Sequence, residues 1–156
     1  MNVRAPAAGD EAALAAILAD MLAHYGQSAS AERMAEAVDL LLHPSRAGPF
    51  ALVADDGDTF LGIALFGEAF PASALTRSLF LRDVYVAEVA RGRGVGRALM
   101  QALAAFARTH GHTRLEWRTG RDNLRAKALY AAIGAPVEEV LYYRVEGDDL
   151  ERLATG

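Results

Sequence analysis

The stretch Leu79-Phe80-Leu81-Arg82-Asp83-Val84-Tyr85-Val86, followed by Arg91-Gly92-Arg93-Gly94-Val95-Gly96-Arg97, decides the fold. The first eight residues form an apolar run broken only by Arg82 and Asp83, which predicts a strand over residues 79–86. The arginine-glycine group then opens a helix that runs to about His110. Leu99, Leu103 and Phe106 mark its buried face, and Gly111 is its stop. Residues 113–119 alternate Leu115 and Trp117 against Arg114, Glu116 and Arg118, which is strand periodicity. Strand, helix and strand over residues 79–119 predict a right-handed parallel crossover.

Upstream, Leu14, Ile17, Leu18, Met21 and Leu22 recur at helical spacing between Asp10, a candidate N-cap, and Gly26. Ser30 opens a second helix, with Met34, Ala37, Val38, Leu41 and Leu42 on its apolar side. His43-Pro44 ends it, because the residue before proline is pushed away from helical dihedrals. Residues 50–54 and 59–66 predict a hairpin closed by Asp55-Asp56-Gly57-Asp58. Downstream, Asp122 is the predicted cap of a short helix ending near Gly134. Residues 140–145 are the clearest of the strand-like segments after Pro136, before a short acidic tail. No linker or repeat divides the 156 residues, so one α/β domain over residues 1–156 is expected, a mixed sheet with helices on both faces.

Composition narrows the function. Cysteine is absent, which excludes disulfides, thiolate metal ligands and a cysteine nucleophile. The net charge of −4 argues against a general nucleic-acid surface. Apolar runs are broken before they could span a bilayer, and no signal peptide is visible, so a cytoplasmic enzyme with no membrane partner is expected. The histidines His24, His43, His110 and His112 form no metal motif, and no metal is expected. His24-Tyr25, at the end of the first helix, reads either as a plain helix terminus or as part of an acceptor pocket.

The glycine loop lies where a strand feeds a helix, so free N–H groups and the helix dipole favour a phosphate there. A dinucleotide fingerprint starting at Gly92 and Gly94 would need its third glycine at Arg97, so it fails. The P-loop Gly-Lys-Ser/Thr is absent as well. What remains is Arg91-x-x-Gly94-x-Gly96.

That pattern resembles the coenzyme A pyrophosphate loop of the GNAT acetyltransferases. The preceding strand 81–86 resembles the superfamily's central strand. Asn123, Ala126, Leu129-Tyr130 and Gly134-Ala135 resemble its Asn-x-x-Ala-x-x-Leu/Phe-Tyr-x-x-x-Gly motif. In pattern the chain is closest to the spermidine/spermine N-acetyltransferase-like group, with Arg82 where that group places glutamate and Asp122 where tryptophan often stands.

The resemblance implies a single GNAT domain whose sheet is mostly antiparallel with a central parallel strand pair. It implies acetyl-CoA as cosubstrate and a small-molecule amine (polyamine, amino acid or similar) as acceptor, often in a homodimer. By the same likeness the cosubstrate is held by Val84, Tyr85 and Val86, by Arg91, Gly92, Arg93, Gly94, Val95, Gly96 and Arg97, and by Asn123 and Tyr130. A protein lysine or N-terminus as acceptor, and a non-catalytic acyl-CoA-binding module, are the alternatives.

Acyl transfer to an amine needs a base, because a primary amine with a pKa of about 10.4 arrives charged at neutral pH. Asp83, in an otherwise apolar strand beside the loop, reads either as that base or as a structural acid paired with Arg82 or another arginine. Glu68 and Glu116 are reserves. Tyr130, seven residues from Asn123, carries a phenol matched to a departing thiolate. The resemblance makes it the general acid, and the bland alternative is packing against the sheet.

Overall fold

Five strands lie side by side in chain order: β1 (Asn2–Arg4), β2 (Phe50–Asp55), β3 (Phe60–Ala69), β4 (Ser78–Val86) and β5 (Arg114–Trp117). Neighbours pair antiparallel except β4 and β5, which are parallel. The computed structural model describes residues 1–57 and 59–156. Asp58, part of the predicted hairpin turn, lies outside the described residues. Around it, Gly57 N donates to Asp55 Oδ1 at 2.8 Å and Thr59 N to Asp56 Oδ1 at 3.1 Å.

Two layers of helix cover the sheet. On one face α1 (Glu11–His24) and α2 (Ala31–Leu42) bury Leu14, Ile17, Val38 and Leu41 against Val53 and Ile63. On the other, α3 (Val95–Thr109) buries Val95, Leu99 and Leu103 against Phe66, Leu79 and Leu81. Each fully buried leucine there is worth roughly 1.5–3 kcal/mol over exposure. The helix comes this close because β3 carries Gly62 beneath it. A Cβ at Gly62 would stand 2.7 Å from the Tyr85 carbonyl oxygen and 3.0 Å from Val95 Cγ1. The short α4 (Leu124–Ala132) follows β5, and α5 (Asp148–Thr155) ends the chain.

Register slips once in the β3–β4 ladder. Phe66 faces Leu81 and Leu65 faces Asp83, so Arg82 is the extra residue of a β-bulge. Because side chains alternate with period two, one extra residue moves everything after it to the other face. Leu79 and Leu81 pack under α3, whereas Tyr85 packs with α1 and α2 and Val84 and Val86 turn to α3.

Several expectations need correction. Asp10 precedes α1 but does not cap it. Its carboxylate takes two bonds from the Arg4 guanidinium, at 2.6 and 3.0 Å, and one from Ala7 N at 2.7 Å. Charge-assisted bonds of this kind outcompete a cap, and they hold the Asp10 pKa below the ordinary range. The cap of α4 is Asn123 rather than Asp122, with Oδ1 accepting from Ala126 N at 3.1 Å. Ser30 does cap α2, accepting from Arg33 N at 3.3 Å.

The segment 140–145 forms no strand. Val140, Leu141 and Tyr143 are exposed, and Tyr142 instead receives the Arg118 guanidinium over its ring at 3.7 Å. Four consecutive apolar residues there lack the alternation that pins one face of a strand to a core. The acidic tail is helical, with Asp148, Asp149 and Glu151 in the first turn, where the dipole favours them. Strand β1, three residues long, gave no periodicity to read.

Candidate active site

The parallel pairing of β4 and β5 runs only from Ser78 opposite Arg114 to Leu81 opposite Trp117. Beyond the bulge, β4 continues to Val86 paired with β3 alone. Its other edge, from Arg82 on, has no strand beside it among the described residues. Such an opening at the carboxyl ends of parallel strands is where α/β sheets receive ligands.

The glycine loop rims one side of this opening. Gly92 and Gly94 have φ of 79° and 80°, left-handed values that favour glycine, and a Cβ at either would meet nothing within 4 Å. Gly94 is the N-cap of α3 and no side chain caps that helix, so its first N–H groups face outward. Arg93 and Arg97 are exposed beside them, whereas the Val95 side chain is buried in the core and only its backbone faces the loop.

Gly96 serves packing. A Cβ there would stand 3.2 Å from Leu129 Cδ2 and 3.7 Å from Val86 Cγ2, so its absence seats α4 against α3 and β4. Arg91 turns inward as a brace, with Nε donating to the Val86 carbonyl at 3.2 Å and the guanidinium 3.4 Å from His24 Nδ1. The Tyr85 side chain leaves the opening for the α1 layer, where its hydroxyl donates to Asp20 at 2.7 Å. With burial, that bond pushes its pKa up to about 12.

Three titratable groups near the point where β4 and β5 part influence one another electrostatically. Burial raises the Asp83 pKa, and the adjacent Arg82 guanidinium opposes the rise. Tyr25, just past the end of α1, has its phenol pKa raised by burial and then by the nearby Asp83 carboxylate. Tyr130 is raised by burial and then by Tyr25. The Tyr130 ring packs tilted on Trp117, with centroids 5.1 Å apart, on the α3 side. Tyr25 lies on the α1 side, where its ring neighbours His24, which in turn packs on Tyr85.

Asp83 and Arg82 also line a groove of about 350 Å³ between α1, α2 and the bulge. Its remaining walls are apolar apart from Arg33 and include Leu18, Met21, Met34 and Leu65. Asp83 and Arg82 make no direct ion pair, although the Arg82 guanidinium acts on the carboxylate at longer range.

The reserve acids lie elsewhere. Glu68 is opposite Leu79, four residues and roughly 13 Å of strand from Asp83. It is paired with Arg77 and with His112 Nε2 at 3.1 Å. Glu116 pairs with Arg114 on the exposed side of β5. Asn123 sits at the N-cap of α4 with its Oδ1 engaged by Ala126 N, seven residues or about two turns before Tyr130. Among the described residues no group of three histidines or acids is placed to hold a metal ion, and no helix is long and apolar enough to cross a membrane.

The model of the acetyltransferase (GNAT) family matches residues 14–135. The chain belongs to the GNAT family.

Among its relatives is a D-amino-acid N-acetyltransferase of Saccharomyces cerevisiae, 31% identical over 97 residues, which are 62% of this chain and 60% of that enzyme. The match thus spans under two thirds of the yeast protein's length. An uncharacterized N-acetyltransferase of Bacillus subtilis is 25% identical over 86% of this chain and 89% of its own. Among solved structures, an integron cassette protein from the mobile metagenome of V. cholerae superposes with a TM-score of 0.85 at 29% identity, over 99% of this chain and 98% of that one. The GNAT fold, a mostly antiparallel sheet with one parallel pair and flanking helices, is therefore present, and the chain is an acetyltransferase of this family.

Sequence reasoning about this GNAT domain left Tyr25 undecided and did not see Arg33 at all. Tyr25 comes from a helix distant in sequence, and only the fold carries it to Asp83. The one available signal was Arg82-Asp83 itself: two charged residues breaking an apolar strand, which marks the bulge.

Proposed function

We propose that this chain transfers the acetyl group of acetyl-CoA to the primary amine of a small molecule by direct attack. The observation that carries the reading is the position of Asp83 on β4, just past its last pairing with β5, and of the Tyr130 ring on Trp117, where that pairing ends, one loop away from the uncapped start of α3.

The residues fit the cosubstrate. Gly92 and Gly94 leave clear space over the first N–H groups of α3, and Arg93 and Arg97 add exposed positive charge, a match for a diphosphate. The open edge of β4 at Val84 to Val86 offers backbone groups to an extended pantetheine arm, as an added strand would use them. The Val86 carbonyl is already held by Arg91, so the remaining backbone groups of that edge carry the contact. When bound, acetyl-CoA supplies the thioester.

Asp83, its pKa raised by burial, accepts a proton from the incoming ammonium and leaves a nucleophilic amine. As the N–C bond forms and the C–S bond breaks, the sulfur takes the Tyr130 proton, and Tyr130 is restored by the proton that the nitrogen loses. Burial keeps the Tyr130 phenol protonated at working pH, as an acid must be. A groove of about 350 Å³ suits a small acceptor. Relatives named for acetylating D-amino acids, ornithine and thialysine are consistent with an amine acceptor of that size. The exposed apolar Val140, Leu141 and Tyr143 favour association into a homodimer, which sedimentation would read directly.

Release of coenzyme A thiol from acetyl-CoA in the presence of small amines tests the proposal. Turnover that depends on both substrates supports it. Tight binding of acetyl-CoA without turnover of any amine would point to a binding module instead.

A further inference from the structure

We propose that the acceptor is an amine bearing both a carboxylate and an apolar body, an apolar amino carboxylate, with Arg33 and Arg82 receiving the carboxylate and Asp83 the ammonium. This rests on the acetyl-transfer reading and narrows its acceptor.

The groove beside Asp83 is apolar except for three charged side chains: one carboxylate and two guanidinium groups. Its local charge is therefore opposite in sign to that of the chain as a whole, which carries −4. Neither Arg33 nor Arg82 pairs with a carboxylate of the protein among the described residues, although carboxylates engage Arg4, Arg77, Arg114, Arg144 and Arg152. Both stand at the exposed mouth, so water already solvates them and their effect is selection: they attract an anionic substituent and repel a second cation.

A polyamine brings two or more ammonium groups, of which Asp83 could answer one while the rest would face guanidinium. A plain alkylamine fills the apolar walls and ignores both arginines. An amino carboxylate with an apolar side chain matches every feature: ammonium to Asp83, carboxylate to arginine, hydrocarbon to Leu18, Met21, Met34 and Leu65. The bulge has a part in this. By inserting Arg82 into β4 it places a guanidinium and a carboxylate on consecutive residues at the same groove.

Four acceptors separate the possibilities: leucine, leucinamide, 3-methylbutylamine and spermidine, each with acetyl-CoA, read by initial rates of thiol release. Calorimetry of acetyl-CoA alone runs in parallel. Leucine should exceed leucinamide in kcat/KM by at least about fivefold, with spermidine poorest. The Arg33→Gln/Arg82→Gln double variant should collapse the leucine-to-leucinamide preference toward unity through KM, and Arg33→Lys/Arg82→Lys should keep most of it.

Failure of acetyl-CoA to bind sinks the transfer reading itself. Binding of acetyl-CoA with leucinamide, 3-methylbutylamine or spermidine equal to or better than leucine, or with none of the four turned over, overturns the acceptor assignment alone. So does a double variant that keeps the preference.

Discussion

Asp83 stands opposite Leu65 in the β3–β4 ladder, while Leu81, two residues earlier, stands opposite the adjacent Phe66. That slip exchanges the faces of β4, so that Asp83 and Tyr85 turn away from α3 while Val84 and Val86 take over the packing that Leu79 and Leu81 give before it. It puts a carboxylate at the point where β4 loses its parallel neighbour. In a strand of unbroken register, Leu81, Asp83 and Tyr85 would share one face, and the carboxylate would lie under α3.

A pH profile tests Asp83. A base works when deprotonated, so kcat/KM should rise with pH through the Asp83 pKa. Burial lifts that pKa above the ordinary carboxylate value of about 3.9. Arg82 opposes the lift, so Arg82→Ala should move the acidic limb to higher pH. Asp83→Asn should lower the rate by about 10²-fold or more and remove that limb. A limb that stays put in Arg82→Ala contradicts the assignment.

Replacement of Tyr130 by phenylalanine removes the proposed acid while keeping the ring on Trp117. Steady-state kinetics should show kcat reduced by about 10²-fold, with calorimetric affinity for acetyl-CoA nearly unchanged. Because burial raises the phenol pKa, loss of the Tyr130 proton should not limit the wild-type rate below about pH 10. Unchanged turnover would take Tyr130 out of the mechanism.

Most of the sheet and its three long helices could be read from periodicity and from caps such as Ser30, because burial on one face imposes a repeat. What could not be read was competition between partners. Asp10 looks like a cap until Arg4, brought in by β1, takes its carboxylate. Residues 140–145 look like a strand, yet composition does not say whether an edge lies in reach. In the site, the glycine loop was legible because its backbone demands leave a mark in the sequence, at Gly92 and Gly94. The inward turn of Arg91, the packing role of Gly96 and the arrival of Tyr25 and Arg33 at Asp83 are long-range facts with no local pattern.

Gly62 and Gly96 should respond differently to alanine. At Gly62 the new Cβ meets a backbone carbonyl at 2.7 Å, which cannot move without shifting β4, so a loss of about 1–3 kcal/mol is expected in denaturant unfolding. At Gly96 the nearest atom is the end of the Leu129 side chain, which can rotate away, so the loss should be the smaller of the two. Equal losses would contradict this picture of how α3 is seated.

His112 should make the fold acid-sensitive. Its ring is buried, Nε2 meets Glu68, and Nδ1 has no partner. Burial and the Arg77 guanidinium, which already answers Glu68, hold its pKa below the ordinary imidazole value of about 6.5. As pH falls through that value the unfolded chain takes the proton first, so stability is lost from there down to the lowered folded pKa. Thermal melting should fall between pH 7.5 and 5.5 by more in the wild type than in His112→Gln. Equal falls would assign the sensitivity to other groups.

The central claim is that the start of α3 and the open edge of β4 hold acetyl-CoA beside Asp83 and Tyr130. Calorimetric titration of acetyl-CoA into the wild type and into Gly94→Asp tests it most directly. The account predicts one site in the wild type, weakened at least about tenfold by a carboxylate set among the α3 amides. No heat with the wild type, or equal affinity in the two proteins, would contradict it.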